Sequence, residues 1–106
     1  ANLPNTVTCN RDSVGVRVPN HKVALELIQL SDGLLIGTSA NKTGRKPPET
    51  AEEAVRQIGS GVDVVLDGGK VPLGTPSTVV NLTAETPIVI REGPIKLGSI
   101  LKVLGA

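Results

Sequence analysis

The sequence predicts an α/β fold, a mixed and twisted sheet with about three helices packed against it. Three observations carry that prediction. Residues 14–18 alternate valines with Gly15 and Arg17, which is the period of a strand. Residues 23–30 place Val23, Leu27 and Leu30 on one face, with Ala24 and Ile28 beside it, which is helical spacing. Residues 62–66 form a nearly continuous apolar run, the pattern of a strand covered on both faces. Alternating strand and helix signals of this kind give layered α/β architectures.

Taken in order, residues 1–13 read as an extended segment with Pro4 and Asn5 as breakers. The strand at 14–18 ends at Pro19-Asn20, and Asn20 is a candidate N-cap for a helix over about 21–31. Asp32-Gly33 closes that helix, and residues 34–38 make the next strand, so the two strands of this β-α-β unit are expected to run parallel or nearly adjacent. That second strand delivers Gly37-Thr38-Ser39-Ala40-Asn41 into a loop, residues 42–48, rich in Gly, Pro and charge.

The clearest helix start follows. Thr50 and Glu53 have the spacing of a capping box, each side chain accepting from the other residue's backbone N–H. Ala51, Ala54, Val55 and Ile58 then share a face, and Gly59 terminates the helix. After the run at 62–66, Asp67-Gly68-Gly69 turns the chain, and a hydroxyl cluster, Thr75-Pro76-Ser77-Thr78, leads into a strand at 79–82. Residues 83–86 form a polar turn and 87–90 return as a hairpin strand. The last segment carries Leu97, Ile100, Leu101 and Leu104 at helical spacing.

Composition narrows the function classes. With 106 residues, 39% of them apolar, the chain has room for one small domain with a single core. Phe, Tyr, Trp and Met are absent, so the core is aliphatic and no ring of this chain can stack on a nucleobase. The net charge of +1 is spread over eleven scattered Lys and Arg, unlike the basic stripe of a nucleic-acid surface. Cys9 and His21 are each the sole residue of their kind, which excludes an internal disulfide and a Cys/His zinc set, and fits a reducing, cytoplasmic setting. No apolar run reaches membrane-spanning length. The polar start at Ala1 suggests a fragment or a processed product.

The standard nucleotide signatures are missing. There is no G-x-x-x-x-G-K-[ST], and Gly59-Ser60-Gly61 lacks the third glycine of a dinucleotide fingerprint. Asp67-Gly68-Gly69 reads as a turn, His21 as a capping or surface residue, and Glu52-Glu53 as a helix-dipole feature. Three elements stand out when taken together. Arg17 points away from Val16 and Val18, Ser39 and Ser77 sit where small polar clusters meet strands, and Arg91 follows directly on an apolar strand. Two arginines and two hydroxyl clusters at strand ends could converge on an anionic ligand, as open sheets do. The same pentapeptides also serve as plain strand exits, and spacing alone leaves both readings open.

Six motifs in order bring a family into view: Val14-Gly15-Val16-Arg17-Val18-Pro19-Asn20-His21, Gly37-Thr38-Ser39-Ala40-Asn41, Thr50-Ala51-Glu52-Glu53, Leu66-Asp67-Gly68-Gly69, Pro76-Ser77-Thr78-Val79-Val80 and Ile90-Arg91-Glu92-Gly93. From about Pro4 onward the chain resembles the C-terminal portion of a YrdC-type threonylcarbamoyl-AMP synthase domain, which would make residues 1–106 a partial YrdC-like domain. The resemblance implies an enzyme family that joins L-threonine, bicarbonate and ATP into threonylcarbamoyl-adenylate with release of pyrophosphate, for tRNA modification by downstream proteins. It implies ATP contacts at Ser13, Ser39 and Arg91, and threonine contacts at Arg17, Gly37 and Ser77. Pro47 falls where members often carry a nucleotide-contacting Ser. ATP would enter as a substrate, with Mg2+, and no tightly bound cofactor is implied. The family's basic K-x-R segment has no counterpart in this sequence, so the chain alone is expected to be inactive and, with apolar sheet surface uncovered, to self-associate. Two other readings remain: the YrdC-like domain of a hydrogenase-maturation carbamoyltransferase, and a non-catalytic RNA-binding or interaction module.

Overall fold

The computed structural model describes residues 3–72 and 76–105. The chain divides into two compact units, residues Val16–Pro72 and residues Ala1–Gly15 with Leu73–Ala106. Helices and a short sheet give the expected α/β class.

The Val16–Pro72 unit holds two helices. Helix α2, Lys22–Leu30, starts one residue later than the sequence suggested. His21, not Asn20, is the N-cap, in an extended conformation with its Nδ1 accepting from Ala24 N at 3.5 Å. The helix ends where Asp32-Gly33 was expected to close it. Ser31 N donates to Leu27 O at 3.1 Å and Gly33 N to Ile28 O at 2.9 Å, with φ of 63° at Asp32 and 87° at Gly33. A glycine in the left-handed region costs no Cβ clash, which is why the stop falls there.

Helix α3, Ala51–Ile58, is capped by Thr50, whose Oγ1 accepts from Glu53 N at 3.2 Å. The reciprocal half of the capping box differs from the expectation. Glu53 Oε2 accepts from Glu49 N at 2.8 Å, one residue before the cap, so the carboxylate secures the chain entering the helix. Gly59 is the C-cap but keeps a right-handed conformation, and the helix tightens into a 3₁₀ turn, Gly59–Gly61.

In the other unit, residues 5–8 form a one-turn helix α1, Asn5–Thr8, where an extended segment was expected. Proline breaks a helix interior, but Pro4 stands at the N-cap, where its missing N–H removes nothing. Strands β1, Val79–Asn81, and β2, Ile88–Arg91, pair antiparallel as the predicted hairpin. Val80 faces Val89 and Asn81 faces Ile88, with an irregularity between Val79 and Val80. Asn81 Oδ1 starts the turn by accepting from Thr83 N at 2.8 Å and Thr83 Oγ1 at 2.7 Å. Helix α4, Leu97–Leu104, follows and ends on Gly105 at φ 74°. Thr75, in the second hydroxyl cluster, lies outside the described residues.

Among the described residues the sheet is this one pair of strands. Residues 16–18, 34–36 and 62–66 run outside regular structure without backbone hydrogen bonds to one another. The strand-like periodicity at 14–18 reports an alternating side-chain pattern, and that pattern does not by itself supply a pairing partner. Nor are the segments covered. No apolar residue among those described is buried, and Val16, Ile36 and Val64 are 78%, 83% and 75% exposed. The run at 62–66, expected to be enclosed on both faces, is therefore open.

Candidate functional site

The candidate residues are distributed over both units. Ser13, Ser77 and Arg91 belong to one, and Arg17, Gly37, Ser39 and Pro47 to the other.

In the hairpin unit the fold brings two candidates together. Arg91 ends β2 across from Val79 at the start of β1, which sets its side chain beside the segment entering β1. There Arg91 Nε donates to Ser77 O at 2.9 Å. Its Nη groups have no acceptor among the described residues, and Arg91 is exposed. One edge of the guanidinium is thus fixed and the other is free to meet a carboxylate or phosphate, the geometry that suits a planar cation. Thr78 Oγ1 donates to Ile95 O at 2.7 Å, tying the same segment to the chain after β2.

Gly93 makes this arrangement close. It is the one buried residue among those described. A Cβ there would run into Pro76 O, Thr78 N and Ser77 C, so only glycine lets the two backbones meet. Sequence reading singled out Arg91 and Ser77 but missed Gly93, because nothing local marks which strand a glycine will touch. Beside it, the carboxyl of Glu92 is held below its ordinary 4.5, first by the hydrogen bond from Lys96 Nζ at 2.6 Å and then by the charge of that ammonium.

In the Val16–Pro72 unit, Arg17 is exposed and has no ion pair among the described residues. Gly37 has open space where a Cβ would stand, so its backbone is accessible from that side. Ser39 and Pro47 are both exposed. The loop between them is held by two amides. Asn41 Nδ2 donates to Lys42 O at 3.0 Å and Arg45 O at 3.2 Å. From α3, Gln57 Oε1 accepts from Lys42 N and Gln57 Nε2 donates to Lys46 O, both at 3.0 Å. Asn41 lies in the stretch the sequence singled out, whereas Gln57 was not picked out, since a contact fifteen residues away leaves no local trace.

Glu49 joins the loop to the rest of this unit. Its carbonyl accepts from Val71 N at 2.8 Å, and its carboxylate lies 3.4 Å from Lys46 Nζ and 3.9 Å from Lys70 Nζ. A cleft of about 320 Å³ opens beside it, lined by His21, Glu49, Thr50, Gly68, Gly69 and Lys70 among others. Gly68 explains how His21 fits, because a Cβ there would lie 2.8 Å from His21 Cε1. Asp67 Oδ1 accepts from Gly69 N at 2.9 Å, so the Asp-Gly-Gly turn is an Asx turn as its composition suggested. Arg17, Gly37, Ser39 and Pro47 do not line the cleft, although Ala40 and Pro48 do. Among the described residues no group of three or more His, Cys, Asp or Glu is placed to hold a metal ion.

Residues 1–93 match the Sua5_yciO_yrdC family, described as telomere recombination, and the chain belongs to that family. It is 36% identical over 103 residues to the threonylcarbamoyl-AMP synthase of Pyrococcus abyssi, covering 97% of this chain and 30% of that protein. The synthases of Schizosaccharomyces pombe and Bacillus subtilis are 38% and 32% identical, with 94% and 97% of this chain covered and 24% and 30% of theirs. The chain therefore spans about a third or less of these relatives. Among solved structures, a doubly substituted P. abyssi Sua5 superposes with a TM-score of 0.80, and P. abyssi Sua5 complexed with L-threonine with 0.78, both at 36% identity and 30% of that chain.

Proposed function

We propose that this chain is the ATP- and threonine-contacting, C-terminal portion of a YrdC-like domain in an L-threonylcarbamoyladenylate synthase. In that reaction the threonine amine and bicarbonate condense with loss of water to a carbamate, whose oxygen attacks the α-phosphorus of ATP. Pyrophosphate leaves, and the adenylate goes on to the proteins that modify tRNA. Mg2+ would accompany ATP as part of the substrate and supply positive charge, and the adenylyl transfer calls for cations placed in advance.

The observation that carries this reading is the half-committed Arg91, held by Nε on Ser77 O with its remaining donors free, within a chain of this family. In the proposed roles Arg91 meets a phosphate, and Ser13 and Ser39 donate to ATP, with Pro47 at the edge of the same nucleotide. Arg17 takes the threonine carboxylate, Gly37 admits its backbone-side approach, and Ser77 bonds a polar group of the amino acid. A guanidinium without a protein anion is a ready partner for a carboxylate.

The test is steady-state kinetics on a complete synthase carrying this sequence at the matched positions. Arg17→Lys keeps the charge and loses the bidentate fork, so the KM for threonine should rise about tenfold or more while that for ATP stays within about twofold, given roughly 1.5–3 kcal/mol per charged hydrogen bond. A rise in the KM for ATP instead would place Arg17 on the phosphates and overturn this division of roles.

A further inference from the structure

The loop at 42–46 runs between two residues assigned to ATP, Ser39 and Pro47, and its residues are exposed and outside helix and strand. Part of its form is set from within. Arg45 N donates to Lys42 O at 2.9 Å, and Asn41 Nδ2 closes the turn on the carbonyls of Lys42 and Arg45. Those bonds shape the turn without fixing where it lies on the rest of the unit. Among the described residues, the side-chain bonds that tie 42–46 to another element both come from Gln57 on α3. Its Oε1 accepts from Lys42 N and its Nε2 donates to Lys46 O, each at 3.0 Å. One half-buried amide, used as donor and acceptor at once, thus grips both ends of the loop. The helix beneath it is anchored where the chain enters, by Thr50 as cap and by Glu53 Oε2 on Glu49 N.

We propose that Gln57 is a positioning residue for ATP use, holding residues 42–46 in the form that presents Ser39 and the Pro47 edge to the same nucleotide. The inference rests on the ATP contacts proposed for those two residues. Gln57 acts through the loop, since its amide is engaged by loop backbone. Removing that amide leaves Lys42 N and Lys46 O to water, which reaches an exposed loop, so the fold itself loses little. What goes is the loop's preference for one form. ATP then meets a competent form in only a fraction of molecules, and its apparent affinity falls by that fraction. Threonine is assigned to Arg17, Gly37 and Ser77, none of which Gln57 holds, so threonine use is spared. A general loss of stability acts differently: it lowers the amount of active enzyme, and so kcat, while both KM values stay put.

The experiment is steady-state kinetics on a complete synthase carrying this sequence at the matched positions, comparing Gln57→Met with Ser39→Ala. Methionine matches glutamine in length and in helix propensity, so α3 is kept while both bonds are removed. Gln57→Met should raise the KM for ATP about tenfold, the effect of two neutral hydrogen bonds, with the KM for threonine within about twofold and kcat within about threefold. Gln57→Glu keeps the acceptor for Lys42 N and loses the donor for Lys46 O, so its KM for ATP should fall between those of Gln57→Met and the parent. Amide exchange at Lys42 should quicken in Gln57→Met, because its N–H has lost its acceptor. If Ser39→Ala raises the KM for ATP and Gln57→Met does not, this proposal falls and the ATP assignment stands. If neither variant changes it, ATP does not meet this loop and both fall. A lower kcat with both KM values unchanged, or equal rises for ATP and threonine, makes Gln57 structural only and overturns the proposal too.

Discussion

Arg91 does two things that substitution can separate. Its Nε holds Ser77 O, while the Nη donors stay free for an anion. In a complete synthase, Arg91→Ala should weaken ATP binding by roughly 1.5–3 kcal/mol, against about 1 for Ser39→Ala, because charged hydrogen bonds exceed neutral ones. Calorimetric titration with ATP checks the order, and a larger loss in Ser39→Ala would reverse the assignment. Arg91→Lys keeps a cation but loses both the Nε bond to the Ser77 carbonyl and the planar pair of donors, so it should still weaken ATP binding, by less than Arg91→Ala. Glu92 offers a test by pH. Its carboxylate is stabilised by Lys96, which depresses the folded value below 4.5. A depressed carboxylate contributes stability above its unfolded pKa and loses it as pH falls through the folded value, so the contribution fades only in acid. A carbon-detected NMR titration should find the Glu92 midpoint below 4.5 and restore it to about that value in Lys96→Gln.

At the scale of elements, local chemistry was legible and distant contact was not. Helices α2, α3 and α4 follow from apolar spacing within a few residues, and the hairpin from two apolar runs around a polar turn. Thr50 as the cap of α3 was readable for the same reason, and Thr50→Ala should cost about 1 kcal/mol in a complete domain, measured by urea unfolding. By contrast, the cap of α2 moved to His21, whose ring packs over Gly68, a residue far along the chain. The clamp of Gln57 on residues 42–46 and the approach of Gly93 to residues 76–78 are likewise products of chain passage. Of the candidate site, the sequence pointed to Ser77 and Arg91, and the hairpin register supplies the bond between them. Gly93→Ala forces a methyl group into backbone atoms, so about 1–3 kcal/mol of the hairpin's stability should be lost in the same unfolding experiment. An unchanged midpoint would show that the two segments separate freely.

Across the whole molecule, exposure decides what the chain can do alone. Ordering a residue costs roughly 1–2 kcal/mol of backbone entropy, and burial of apolar surface at about 25 cal/mol per Å² is the main term that offsets it. None of the described apolar residues is buried, so that term is small in this chain. Helices α2 and α3 carry side-chain N-caps, yet caps and surface ion pairs contribute only about 1 kcal/mol each and cannot stand in for a core. The 106-residue chain by itself should therefore lose its helical circular dichroism gradually on heating, without a shared transition between probes. It should also release no pyrophosphate above background from threonine, bicarbonate and ATP, because water enters freely wherever Arg17, Ser39 and Arg91 would act. A sharp transition with coincident probes in the isolated monomer would show that the chain finds its core unaided, and pyrophosphate release by that monomer would show that the exposed residues suffice for chemistry.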